Sequence, residues 1–170
     1  MKIVRRLIKG FLFLVLIFLV LNIWWAMESQ KMVPELGYVN KADEMRISTS
    51  MERTLKACPN SPNCVSTQTD QEKKLMRPLV FTGTVEDAQS KLKAMIGEMP
   101  RTKLLTEEPG YMHFAFTTWP IPFVDDVEFL FSAEEQLIHF RSASRVGHSD
   151  LGVNASRMKK ISAKWSSLGD

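Results

Sequence analysis

The chain has 170 residues, which is enough for one ordinary domain and one additional segment. Its formal net charge is +3, but residues 28–170 alone carry 18 basic against 19 acidic side chains. The excess of positive charge therefore belongs to the N-terminus and does not indicate a nucleic-acid-binding surface, so we expect no DNA or RNA partner.

An uninterrupted apolar run occupies residues 11–21, where every residue is Phe, Leu, Val or Ile. Extended to residues 7–27, the run has 21 residues and is broken only by Lys9, Gly10 and Asn22. As a helix it would be about 30 Å long, the thickness of a bilayer's hydrocarbon core. Since no water satisfies backbone amides inside a bilayer, such a segment must be helical. Trp24 and Trp25 lie where an interfacial aromatic belt is expected. Residues 1–27 are thus predicted to be a cytoplasmic tip and a transmembrane anchor.

The charges that flank this run predict its orientation. Four basic residues precede it, and no acidic residue does: Lys2, Arg5, Arg6 and Lys9. Positive charge stays on the cytoplasmic side, so we expect a single-pass protein of the inner membrane with a periplasmic C-terminal domain. A cleaved signal peptide is the alternative, because it has the same charged start and apolar stretch. Cleavage after Ala26 would place Trp24 where a small residue is needed, which favours an uncleaved anchor.

A polar stalk and a small cysteine ring are predicted to follow. Residues 28–56 are polar and mixed in charge, and they lead to a domain at residues 57–170. Cys58 and Cys64, the only two cysteines, enclose a turn-rich Pro-Asn-Ser-Pro-Asn segment. Outside the cytoplasm they should form a disulfide. The spacing of five residues is wrong for a redox pair, and the three histidines do not supply matching zinc ligands, so no metal is expected.

The rest of the chain alternates between strand and helix patterns. Short apolar or alternating runs predict strands at residues 78–82, 101–106, 111–118, 123–132 and 137–145. After the first strand, Thr84 and Asp87 form the capping box of a helix that ends before Pro100. A last helix is capped by Asp150 or Asn154. This order predicts an α+β fold, with a transmembrane helix followed by an antiparallel sheet of about five strands and two helices packed on one face.

The last two strands are predicted to share one charged face. Side chains alternate between the two faces of a strand, so aligning the apolar residues of 123–132 and 137–145 leaves the charged ones together. The common surface then carries Asp126, Glu128, His139, Arg141 and Arg145. If Phe129 lies opposite Phe140, Glu128 lies directly across from Arg141. We call the side chains of Asp126, Glu128, Arg141 and Arg145 the charged face.

The charged face admits three interpretations. It is a salt-bridge network covered by the stalk or the cysteine loop; or it binds an anionic ligand such as a lipid headgroup, since arginine forks grip phosphate oxygens. In the third interpretation, Asp126 and Glu128 are the acid and base of a hydrolytic site. His148, Ser149 and Asp150 contain the residue types of a triad, but consecutive residues cannot generally aim at one another, and a turn with a helix cap explains them.

Three segments have distinctive sequences: Cys-Pro-Asn-Ser-Pro-Asn-Cys-Val-Ser at 58–66, Val-Asp-Asp-Val-Glu-Phe at 124–129, and Arg-Ser-Ala-Ser-Arg-Val-Gly-His-Ser-Asp-Leu-Gly-Val-Asn at 141–154. In this order they resemble the signatures of the domain of unknown function 1499 (DUF1499) family, from Cys58 to about Leu168. The resemblance implies a shared fold. It implies no established activity and supplies no catalytic residues.

These patterns together predict a membrane-anchored domain of the cell envelope. The charged face would bind an anionic ligand, a lipid headgroup or an envelope protein. One alternative is a hydrolase or transferase of envelope components that uses Asp126 and Glu128. The other is a non-catalytic scaffold in which the charged face is internal. We expect no cofactor.

Overall fold

The computed structural model describes residues 15–22 and 54–169. Residues 15–22 are helical, and their side chains are mostly exposed. No helix within the described residues has the length and apolar character needed to cross a bilayer. Most of the predicted anchor (1–27) and of the predicted stalk (28–56) lies outside the described residues, so both stay predictions.

A single antiparallel sheet of six strands organises residues 54–169, with the strand order β1-β6-β5-β4-β3, and β2 pairs with β6 as well. The strands are β1 (Cys64–Ser66), β2 (Leu79–Val80), β3 (Thr102–Glu108), β4 (Tyr111–Thr117), β5 (Val124–Ser132) and β6 (Leu137–Ser144). The predicted α+β class is confirmed, and the predicted count of about five strands becomes six. The additional strand is β1, which is only three residues long and has too short an alternation to be recognised.

The two short strands share one edge of the sheet. Cys64 of β1 lies opposite Ala143, and Leu79 of β2 lies opposite Ile138, so β1 and β2 follow each other along β6. Between them, Thr67 N–H donates to the carbonyl oxygen of Phe140 at 3.0 Å. This edge of the sheet therefore consists of two very short strands, which limits pairing with another chain.

The register of the last hairpin agrees with the prediction. Phe129 lies opposite Phe140, and Glu128 lies opposite Arg141. A one-residue slip would move every side chain to the other face, so the apolar alternation of both strands specifies this pairing.

Two helices pack on the apolar face: α1 (Val85–Gly97) and α2 (Val153–Ser167). As predicted, Thr84 caps α1, since its Oγ1 accepts from Asp87 N–H at 3.1 Å. At α2, Asp150 Oδ2 accepts from Asn154 N–H at 2.7 Å, so Asp150 satisfies the free amide. The alternative cap, Asn154, is wrong: this residue lies inside the helix and is fully buried, because its side chain bonds to residues of the core.

The sheet is covered on both sides. On the helix side, a core of aromatic and aliphatic residues includes Phe114, Phe129, Phe140, Leu92, Ile96, Met158 and Ile161. On the other side, Leu55 packs with Tyr111 and Leu130, while Cys58 and Cys64 pack with Ala143. Residues 54–64 thus form a thin layer over the charged face.

Candidate functional site: the charged face

The centre of the charged face is an ion pair between neighbouring strands. Arg141 Nη1 donates to Glu128 Oε2 at 3.0 Å, and the Tyr111 hydroxyl donates to Glu128 Oε1 at 2.9 Å. Glu128 is fully buried, and Arg141 is 5% exposed. Both carboxylate oxygens are therefore occupied. Burial, together with the negative charge of Glu128, raises the pKa of the Tyr111 phenol well above its ordinary value.

The second carboxylate, Asp126, has a guanidinium and an imidazole as partners. Arg145 binds it with two hydrogen bonds, from Nε to Oδ2 at 2.9 Å and from Nη2 to Oδ1 at 2.8 Å. His113 Nε2 lies 2.8 Å from Asp126 Oδ1. Burial alone would raise the pKa of Asp126, but the hydrogen bonds and charges of His113 and Arg145 outweigh it and hold the pKa below its ordinary value. Asp126 is thus a poor proton acceptor at neutral pH.

The structure brings together all four predicted residues of the charged face and adds two that sequence reasoning missed. Tyr111 and His113 project from β4 onto the same side, because Tyr111 lies opposite Leu130 and His113 opposite Glu128. The alternation of β4 contained this signal, since Met112 and Phe114 occupy the other face. His139, predicted on the same surface, lies apart from these contacts and bonds to Glu135 and Thr67.

Access to the charged face is closed. The side chains of Asp126 and Arg145 are both only 4% exposed, and residues 54–64 lie over the centre. Among the described residues, Arg141 Nε is the one buried side-chain nitrogen or oxygen without a hydrogen-bond partner. An acid or base must come within hydrogen-bond reach of its substrate, and neither Asp126 nor Glu128 has an open approach in this arrangement.

A second polar network lies on the helix side of the same strands. Arg157 of α2 donates through Nη2 to Asp125 Oδ2 and through Nη1 to Asn154 Oδ1, the latter at 2.7 Å. The Ser142 hydroxyl donates to Asn154 Oδ1 at 2.6 Å. The guanidinium also lies 5.0 Å from the centre of the Phe116 ring. The alternation of β5 predicts that Asp125 shares a face with Val127 and Phe129, but nothing in the sequence pattern identified Arg157 as its partner.

The cysteine ring (residues 58–64) is closed by the predicted disulfide between Cys58 and Cys64, with an S–S distance of 1.98 Å. Asn63 ties this ring to the rest of the domain. Its Nδ2 donates to the carbonyl oxygen of Gly147 at 2.6 Å, and its own carbonyl oxygen accepts from Asn154 Nδ2 at 3.0 Å. The three segments singled out in the sequence therefore meet in one place.

Metal binding finds no support in the described parts of the chain. No group of three or more His, Cys, Asp or Glu side chains within residues 15–22 and 54–169 could hold a metal ion. The buried carboxylates pair with guanidiniums instead, so their charge is compensated without a metal ion.

Comparisons with known proteins agree with the resemblance seen in the motifs. A search of curated proteins and a search of solved structures each find no match. The family model described as "Protein of unknown function (DUF1499)" matches residues 54–164, which include the sheet, both polar networks and nearly all of α2. The chain belongs to the DUF1499 family.

Proposed function

We propose that the protein is a non-catalytic domain tethered to the periplasmic side of the inner membrane. In this proposal the charged face is an internal ion-pair network that holds the cysteine ring and β4 against the last hairpin. The observation that carries the proposal is the pairing of both candidate catalytic carboxylates. Asp126 is 3% exposed and Glu128 is fully buried, and each is held by a guanidinium. A substrate would have to break these pairs before it reached either carboxylate.

Support for the membrane tether comes from the sequence and from the disulfide. Residues 7–27 have the length and composition of a bilayer span, with four cations and no acidic residue at the leading end. Disulfides persist in oxidising compartments such as the periplasm, so the Cys58–Cys64 bond is consistent with an exported domain.

A second candidate function is the binding of an anionic ligand at the charged face. It is favoured by Arg141 Nε, which is buried without a partner among residues 15–22 and 54–169. A phosphate or carboxylate could accept a hydrogen bond there if the layer formed by residues 54–64 moved aside.

A double-mutant cycle on Glu128 and Arg141 tests the structural role. In the full chain, Glu128→Met or Arg141→Met alone leaves one buried charge unpaired and should cost about 3–5 kcal/mol of unfolding free energy. The double variant should recover most of that loss, because two apolar side chains then face each other. If the losses of the two single variants simply added up in the double variant, the charged face would not be an internal ion-pair network.

Phosphate titration separates the two candidates. For the structural proposal, calorimetry should give the same binding of inorganic phosphate and of glycerol phosphate, weak or absent, for the wild-type chain and for the folded double variant. Binding that disappears in the folded double variant, while the exposed-site control Lys103→Gln keeps it, would reject the structural proposal in favour of the second candidate.

A further inference from the structure

An open groove lies beside β2, on the opposite side of the sheet from the charged face. It is lined by residues 76–82 on one side and by α1 and α2 on the other, and its volume is about 680 Å³. Because α1 and α2 cover the apolar face of the sheet, this β2 groove and the charged face lie on opposite sides. The volume falls in the range of about 300–1,000 Å³ that is typical of small-molecule sites.

The rim of the β2 groove carries an excess of positive charge. Among residues 15–22 and 54–169, three cationic residues line it, Arg77, Lys91 and Lys159, against one carboxylate, Asp87. Asp87 is already engaged, since its Oδ2 accepts from the Thr84 hydroxyl at the start of α1. Within the described part of the chain, Arg77 and Lys159 have no ion-pair partner. As far as the described residues go, the groove therefore offers an anion two cationic side chains that have no ion-pair partner.

Part of the wall of the β2 groove is apolar, and its position is fixed. Trp165 of α2 donates from Nε1 to the carbonyl oxygen of Val80 at 2.7 Å, which joins the helix to the edge strand. The Val80 side chain is 62% exposed although its neighbour Leu79 is buried, so an aliphatic group is left open beside the tryptophan. Apolar surface next to a cationic rim suits a molecule with an anionic head and a hydrocarbon chain.

Lys91 connects the two parts of the groove. Its ammonium lies 5.2 Å from the centre of the Trp165 ring and donates to the carbonyl oxygen of Gly169. An ammonium has three N–H donors, so this contact leaves capacity for a ligand. Lys91 is thus held directly over the apolar wall, where the head of an amphiphile would join its chain.

We propose that the β2 groove binds one anionic membrane lipid, with its phosphate among Arg77, Lys91 and Lys159 and the start of an acyl chain against Val80 and Trp165. A bilayer lipid is the occupant that fits the chain, because the predicted anchor ends near residue 27 and the described domain begins at residue 54. The intervening residues can span at most about 100 Å, so the groove stays within reach of the membrane surface. The proposal relies on the tether only for this proximity.

A soluble short-chain lipid allows the groove to be tested directly. The full chain in a neutral maltoside detergent is titrated with dihexanoyl phosphatidylglycerol, and bound lipid is counted by native mass spectrometry. We expect one saturable site in the wild-type protein. Lys91→Gln combined with Lys159→Gln should weaken it at least about tenfold, the effect of losing roughly one strong charged contact.

Neighbouring lysines on the same helices provide a matched control. Lys93 and Lys160 are exposed and do not line the groove, so Lys93→Gln combined with Lys160→Gln removes the same charge and should leave the affinity unchanged. Equal weakening in both double variants would overturn the proposal, since it would indicate nonspecific attraction. Equal binding of dihexanoyl phosphatidylcholine, or binding of inorganic phosphate as tight as that of the lipid, would also overturn it.

Photocrosslinking then locates the acyl chain. A phosphatidylglycerol carrying a diazirine in its short chain should label residues 76–82 and the segment around Trp165. Labelling confined to residues 7–27 would overturn the groove assignment while leaving the membrane tether intact. Conversely, reporter fusions after Asp170 would reveal that the domain is not tethered on the periplasmic side, and that outcome would not alter lipid binding in detergent.

Discussion

Asn63 and Asn154 are 91 residues apart in the chain, yet Asn154 Nδ2 donates to the backbone carbonyl oxygen of Asn63 at 3.0 Å. The same nitrogen contacts Ser144 Oγ at 3.0 Å and Asp150 Oδ2 at 2.8 Å. One fully buried amide thus connects the cysteine ring, the end of β6 and the start of α2.

Replacement of Asn154 by alanine should therefore strongly lower the unfolding free energy of the domain. It removes one buried hydrogen bond from each of three groups: the Asn63 carbonyl oxygen, the Ser142 hydroxyl and the Arg157 guanidinium. A hydrogen bond contributes about 1 kcal/mol, and more when one partner is charged, so we expect a loss of roughly 3 kcal/mol or more in unfolding free energy. Urea denaturation of the full chain, followed by circular dichroism, measures this loss.

Ser156→Ala is the control for that experiment, since Ser156 lies on the exposed side of the same helix. It should change stability by no more than about 0.5 kcal/mol. An Asn154→Ala variant as stable as Ser156→Ala would show that water replaces the lost contacts.

Reduction of the Cys58–Cys64 disulfide should weaken the cover of the charged face. In the chain-entropy account, opening so small a ring costs about 2.4 kcal/mol of stability. Gln71 Nε2 still donates to the Cys58 carbonyl oxygen at 3.0 Å, and Lys74 Nζ donates to the Pro59 carbonyl oxygen, so the ring should remain docked. Denaturation with and without a reductant gives the difference.

The variant with both cysteines replaced by alanine serves as the reference for the reduction. Its stability should match that of the reduced protein and should not respond to a reductant. Hydrogen exchange adds a local measurement, because β1 amides should exchange faster in the reduced form while those of β4 stay protected. Uniform acceleration across the sheet would contradict a local role for the ring.

Acid should destabilise the domain partly through Asp126. Its pKa in the folded state lies below the ordinary value of 3.8, so its contribution to stability is complete above that value. The contribution is lost as the pH falls through the lower, folded-state pKa. Between pH 5 and pH 2, Asp126→Asn should therefore show a shallower decline in unfolding free energy than the wild type. Parallel declines would contradict the role assigned to His113 and Arg145.

Glu98→Gln offers a comparison for the acid experiment. A hydrogen bond and the charge of Lys164 also lower the pKa of Glu98, but this carboxylate is exposed to solvent, which screens the interaction. Its replacement should change the slope less than Asp126→Asn does. The contrast separates a buried ion pair from a surface one.

The sequence predicted the hairpin well and the surroundings of the charged face poorly. The alternation in β5 and β6 was long enough to specify which side chains share a face, and Glu128 and Arg141 are partners as expected. The sequence left the closed state of that face as one of three interpretations, and it did not predict the strand β1. Both depend on residues 54–66, whose short, turn-rich pattern carries no periodicity and whose position is fixed only by contacts far along the chain.

On the helix side of the sheet, too, the sequence predicted the apolar residues better than the buried polar ones. The apolar stripe of the last helix predicts that four residues enter the core: Met158, Ile161, Trp165 and Leu168. The first three are buried, but Leu168 is 45% exposed because it lies just past the end of α2. Arg157 is also buried, because the carboxylate of Asp125 compensates its charge. A pattern based on hydrophobicity assigns such an arginine to solvent, since it contains no information about a partner 32 residues away. Asn154 was wrongly predicted as a cap for a related reason. A cap explains an asparagine by its neighbours in the chain, whereas Asn154 bonds to the Asn63 carbonyl oxygen, which is 91 residues away.

The orientation of the chain is tested by reporter fusions after Asp170. Alkaline phosphatase folds only where its disulfides form, so we expect it to be active when fused there, whereas a reporter that works only in the cytosol should be silent. The reason is the positive charge before the apolar run, which is retained in the cytoplasm. Replacing Lys2, Arg5, Arg6 and Lys9 by serine should weaken this preference and reduce phosphatase activity. An active cytosolic reporter with a silent phosphatase would contradict the orientation, and the Cys58–Cys64 disulfide would then have to form in a reducing compartment, where thiols are normally kept apart.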